Sequence, residues 1–136
     1  MITHTTTKRI RYGETDQMGY LYYGNYALYY EIGRVELLRS LGMSYRILEQ
    51  ECGVMMPVTA MQSRFVRPGK YDELVSITTT LRELPERQIV FHFELHNESG
   101  ALLNGGRVSL CFVDMQTNAR IACPGVLTKL LAPHFA

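Results

Sequence analysis

Two spacings of apolar residues divide this chain. In its first third they recur every three or four positions: Tyr26, Tyr30, Gly33, Leu37 and Leu41 form one stripe. Leu28, Ile32, Val35 and Leu38 fill much of the remaining circumference, so a helix over Asn25 to Leu41 is expected to be apolar nearly all round, and hence buried. Asn25 suits the N-cap and Gly42 the left-handed stop. At about 1.5 Å per residue such a helix is about 25 Å long, the width of a small domain. Gly33 in its interior costs up to about 1 kcal/mol against Ala, which suits close packing on something flat. A second, short helix is expected over Ser44 to Glu51, ended by Gly53.

Elsewhere the spacing is two. Strands are predicted over Thr5 to Tyr12, Val54 to Val66, Leu74 to Leu84, Gln88 to His96 and Leu102 to Asp114. Val75, Ile77, Thr79 and Leu81 share one face, as do Ile89, Phe91, Phe93 and Leu95. Pro68-Gly69, Pro85-Glu86 and Asn97 to Gly100 are turns, and Gly105-Gly106 marks an expected bulge. Pro124 to Leu131 is expected to form a terminal helix. One long helix followed by four long antiparallel strands predicts an α+β domain, a curled antiparallel sheet around a central helix. The open edges of such a sheet call for a partner, so a homodimer at least is expected.

Composition narrows the class. The chain has 136 residues, one domain's worth, with 46% apolar and 20% charged residues and a formal net charge of +1. There is no long basic block to support nucleic-acid binding and no run near the ~20 apolar residues of a membrane helix. The N-terminus carries no apolar signal-peptide core. Cys52, Cys111 and Cys123 are odd in number without a C-x-x-C spacing, so buried free thiols and a cytoplasmic location are expected.

Asp16 is the main candidate for chemistry. It lies in a loop between the first strand and the long helix, flanked by Gly13, Gly19 and several tyrosines that can wall a pocket around an acid. Its plainer reading is a loop cap or a partner for an arginine. Glu31 and Arg34 stand three apart and read as a local ion pair. His92, Glu94 and His96 alternate along a strand. That separates the two histidines by about 13 Å, too far to share a metal, so they read as a polar outer face.

The segment Tyr12 to Glu36 resembles the signature of hotdog-fold acyl-CoA thioesterases in the hydroxybenzoyl-CoA thioesterase branch. The matching residues are Thr15-Asp16-Gln17-Met18-Gly19, Leu21-Tyr22-Tyr23-Gly24-Asn25-Tyr26 and Glu31 to Glu36. Phe65 to Leu74 resembles a softer second motif, a strand ending in Pro before an acidic pair. The resemblance implies a hotdog fold, dimers that often pair into tetramers, and active sites at the dimer interface. It also implies acyl-CoA as substrate, Asp16 as catalytic acid and the Tyr23 N–H as the carbonyl-polarising group. Gly19, Tyr22, Gly24 and Asn25 are then expected at the substrate. Arg67 and Arg87, from a pool with Arg64, Lys70 and Arg82, are expected at the CoA phosphates.

Asp16 would attack the thioester directly or act as general base; neither route requires a metal or redox cofactor. Some relatives carry His at the position of Tyr23; this chain follows those with an aromatic residue there. A non-catalytic acyl-binding or scaffold module and an acyl-carrier-protein thioesterase are the alternatives. A dehydratase is disfavoured, because no His lies between His4 and His92.

Overall fold

The computed structural model describes residues 1–135. Seven strands form one antiparallel sheet: β1 (Ile2–Arg9), β2 (Val54–Met55), β3 (Val58–Phe65), β4 (Leu74–Leu81), β5 (Gln88–His96), β6 (Leu102–Asp114) and β7 (Arg120–Ile121). The order runs β1-β4-β5-β6, and β6 then also pairs with β2, β3 and β7. Three helices accompany it: α1 (Tyr26–Ser40), α2 (Tyr45–Gln50) and α3 (Gly125–Leu131). A long helix wrapped by an antiparallel sheet is the hotdog arrangement expected above.

Alternation sets the sheet's two faces. Val75, Ile77, Thr79 and Leu81 of β4, and Ile89, Phe91, Phe93 and Leu95 of β5, are buried toward α1. The outer face is polar, with Thr5 and Thr78 hydroxyls 3.0 Å apart across β1 and β4. The helix lies flush on the sheet. A Cβ at Gly33 would collide with Thr79 Oγ1 and come within 2.8 Å of Ile77 Cγ2, so only glycine permits this approach. Gly106 of β6 does the same for Tyr30, whose ring occupies the space a Cβ would need. That ring stacks on Phe93 at 4.7 Å. Its hydroxyl donates to Asn104 Oδ1, Asn104 Nδ2 donates to Ser63 Oγ at 2.9 Å, and Ser63 closes the triangle onto the Tyr30 oxygen at 2.7 Å.

Several sequence expectations are corrected. The first strand starts earlier and stops at Arg9, because Tyr12–Glu14 wind into a 3-10 turn. Pro57, which has no N–H to give a ladder, separates β2 from β3. The glycine pair of β6 pairs in regular register with Glu94 and Phe93; the irregularities fall between Leu95 and His96 and between Val58 and Ala60. The long helix is not buried all round in the single chain: Leu28 is 43% exposed and Ala27 is exposed. Glu31 and Arg34 form no ion pair among the described residues. Arg34 is buried and donates from Nε to the Tyr45 hydroxyl at 2.9 Å, while Glu36 and Arg39 pair at 3.5 Å. All three cysteines are free, but only Cys111 is buried; Cys52 is exposed and Cys123 lies between.

Candidate active site

The loop from Arg11 to Asn25 is held on three sides. Its Thr15 and Leu21 bridge each other, and Tyr20 bridges Lys70. The Leu21 N–H donates to Gly69 O at 2.7 Å and the Tyr71 N–H to Gly19 O at 2.9 Å, sewing it to the turn after β3. Gly19 takes φ +75°, a conformation side chains disfavour, which lets the chain reverse behind Asp16. The third tether is Glu14. Its carboxylate accepts from Lys8 Nζ at 2.9 Å, the Arg11 N–H at 2.9 Å and the Tyr29 hydroxyl at 2.8 Å. Burial works to raise the Glu14 pKa, but the Arg11 N–H, Lys8 and Tyr29 together hold it below the ordinary carboxylate range. Burial, and then the bond to Glu14, push the Tyr29 phenol upward, so it serves as a donor at neutral pH.

Asp16 has no ionic partner among the described residues. Its Oδ1 accepts from the Met18 N–H at 2.9 Å and the Tyr20 N–H at 3.2 Å, an Asx-type turn, and Oδ2 has no partner in the described chain. The plainer reading of Asp16 as a loop cap therefore describes one of its oxygens and leaves the other unengaged.

The start of the helix differs from expectation in an informative way. Tyr23–Asn25 form a 3-10 turn ahead of α1, and Asn25 itself has helical angles. Its side chain caps nothing; it reaches back 2.8 Å to Glu14 O. The Asn25 N–H is spent on Tyr22 O, and the Tyr22 N–H on Glu14 O. The N–H groups of Tyr23 and Gly24 meet no acceptor among the described residues.

A cavity of about 320 Å³ is lined by Asp16, Tyr20, Leu21, Tyr23, Tyr26, Phe65, Val66, Arg67 and Pro68. Two of its lining residues, Tyr26 and Phe65, meet edge to face with ring centres 5.1 Å apart. On the other side of Asp16, a second cleft is lined by Tyr12, Thr15, Gln17, Gly19 and Tyr71. Of the expected site residues, then, Asp16, Tyr23 and Arg67 share one cavity and Gly19 stands behind it. Tyr22 packs against the Tyr23 ring at 4.6 Å, and the Tyr22 ring also fills the space where a Gly24 Cβ would sit.

Arg87 is elsewhere. It lines a cleft of about 710 Å³ with Arg82, Arg107, Arg120 and His92 on the sheet's outer face. Burial, then the charges of Arg82 and Arg107, hold the His92 pKa below its ordinary value, against the opposing charge of Glu83.

Phe65, Val66 and Pro68 were legible as a strand end and turn and as part of the second motif, not as cavity lining, and Glu14 as one acidic residue among many. Phe65 ends the exposed edge strand β3, and no spacing signals that its ring meets Tyr26.

Among proteins of known name, the putative acyl-CoA thioesterase YneP of Bacillus subtilis is 34% identical over 101 residues, 73% of this chain and 72% of that protein. The acyl-CoA thioester hydrolase YbgC of Escherichia coli is 30% identical over 106 residues, 78% of each chain. The crystal structure of a DHNA-CoA thioesterase from Staphylococcus aureus superposes with a TM-score of 0.85 at 33% identity, over 90% of this chain and 81% of that one. The family profile of the thioesterase-like superfamily matches residues 10–131, from the end of β1 to the end of α3. The acid-bearing loop, the long helix and the whole of the strand ladder from β2 to β7 fall within that match, and the chain belongs to the thioesterase-like superfamily.

Proposed function

We propose that this protein hydrolyses an acyl-CoA thioester to the free acid and CoA, using Asp16 as nucleophile or general base and the Tyr23 N–H to polarise the carbonyl. The supporting observation is one cavity lined by both residues, where one carboxylate oxygen and one backbone donor lack partners. The thioester carbonyl oxygen would accept from the Tyr23 N–H, with Gly24 beside it. One such donor is worth about 3 kcal/mol as charge develops on the oxygen. In the base route, Asp16 takes a proton from water as the water oxygen bonds to the carbonyl carbon; the C–S bond then breaks and the CoA sulfur leaves with that proton. In the nucleophile route, a carboxylate oxygen bonds to the carbonyl carbon, CoA leaves, and water cleaves the resulting anhydride. The test is release of free thiol from a panel of short aliphatic and aromatic acyl-CoAs; no turnover on any of them favours an acyl-binding module.

Arg67 at the cavity and Arg87 in the outer cleft are the proposed phosphate contacts, Arg87 for a CoA held in a neighbouring subunit's cavity. Arg87→Ala should raise KM for acyl-CoA about tenfold with kcat nearly unchanged, the effect of losing one charge-assisted hydrogen bond of about 1.5 kcal/mol. Acyl-pantetheine, which lacks the nucleotide, should show no change; an equal loss on both substrates would remove Arg87 from the phosphate site.

A homodimer, or a tetramer built as a dimer of dimers, fits the single chain's surface. The edge strand β3 is almost wholly exposed, and Met61, Phe65 and Val66 offer apolar side chains beside the cavity. Light scattering is expected to give two or four times the 15.6 kDa chain mass. Met61→Lys should shift the particle toward one chain and lower turnover with it; a monomeric, fully active wild type would exclude this arrangement.

A further inference from the structure

The same residue, Glu14, holds both halves of the proposed chemistry. Its backbone carbonyl accepts from the Tyr22 N–H at 2.9 Å and from Asn25 Nδ2 at 2.8 Å. Those two bonds brace the 3-10 turn whose Tyr23 and Gly24 N–H groups meet no acceptor among the described residues. Asp16 follows two residues along the chain, so the acid and the amide tip share one anchor. The anchor is itself fixed to rigid elements, to β1 through Lys8 and to the first turn of α1 through Tyr29. The Lys8 ammonium also lies 5.2 Å from the Tyr29 ring centre, which closes the cluster.

We propose that Glu14 is a positioning residue: through Lys8, Tyr29 and Arg11 it sets the separation between the Asp16 carboxylate and the Tyr23 N–H. This rests on the hydrolytic reading of the same site. Glu14 does not face either cavity, and it contributes nothing to binding or to bond breaking. Its contribution is geometric, and a misplacement of about 1 Å at a reacting pair is enough to cost about a hundredfold in rate.

The test uses Glu14→Ala, which removes every side-chain tether, and Glu14→Gln, which keeps an oxygen for the Arg11 N–H and Tyr29 hydroxyl but loses the charge facing Lys8. Glu14→Ala is expected to lower kcat about a hundredfold with KM within threefold, and Glu14→Gln to recover part of that loss. Amide hydrogen exchange gives a readout independent of turnover. Exchange at Tyr20 and Tyr22 should quicken at least tenfold in Glu14→Ala, while β4 and β5 amides keep their wild-type rates. Unchanged exchange in the loop overturns the proposal whether or not the protein turns over any acyl-CoA. So does a kcat within twofold of wild type in a folded Glu14→Ala. If the loop loosens but wild type hydrolyses nothing, the hydrolytic reading fails and the tether stands as structure alone, which overturns the positioning role.

Discussion

Asp16→Asn is expected to lower kcat for thioester hydrolysis by about 10²–10⁴-fold while KM and melting temperature stay close to wild type. The hydrogen-bond pattern makes this substitution a clean one. Both loop donors, the Met18 and Tyr20 N–H groups, land on Oδ1. An amide oxygen in that position accepts the same two bonds, so the turn keeps its shape. What disappears is the free carboxylate oxygen and its charge, the one feature that both the nucleophile and the base route require. Steady-state kinetics beside a thermal melt separate the outcomes. Full turnover in the variant would end the mechanism, and a large drop in melting temperature would return Asp16 to a purely structural role.

The second large effect is on stability. Gly106→Ala should destabilise the protein by about 4 kcal/mol, read from urea unfolding at constant m. A Cβ there would sit 2.7 Å from Tyr30 Cε1 and closer still to the ring's hydroxyl end. The ring has nowhere to go: Tyr30 is fully buried and stacked on Phe93. Overpacking costs about 1–3 kcal/mol. Moving the phenol also breaks its bonds to Asn104 and Ser63, leaving the fully buried Asn104 carbonyl without a donor at about 1–3 kcal/mol more. Against a typical total of about 5–15 kcal/mol this is a large fraction. A loss below about 1 kcal/mol would mean that the Tyr30 triangle is not tightly packed.

Periodicity carried most of the fold. The stripe through Tyr26, Tyr30, Gly33 and Leu37 names the face of α1 that meets the sheet, and the alternation of β5 names the strand's two faces without error. Local signals failed where tertiary contacts decide. Asn25 has the residue type of a cap, yet Glu14 O competes for its side chain and wins. Gly106 reads as a bulge because a glycine in a strand can mean that, or can mean a neighbour pressed against the backbone; here the neighbour is Tyr30, distant in sequence. Arg34 reads as the ion-pair partner of Glu31 until α2 brings the Tyr45 hydroxyl to it. At the candidate site, Asp16 stood out because it carries a recognisable local motif. Glu14 did not, because its partners Lys8 and Tyr29 converge only after the loop, strand and helix have come together.

The glycine contact between α1 and β4 has a further consequence for which acyl groups the protein can accept. At Gly33 the helix is seated directly on Ile77 and Thr79, and buried Tyr26 lines the cavity with its ring edge to face with the exposed Phe65. An acyl tail too long for that cavity would run out past the exposed Phe65 and Val66 side chains. In the proposed dimer the neighbouring subunit would cover that rim, and it would then act as the ruler for chain length.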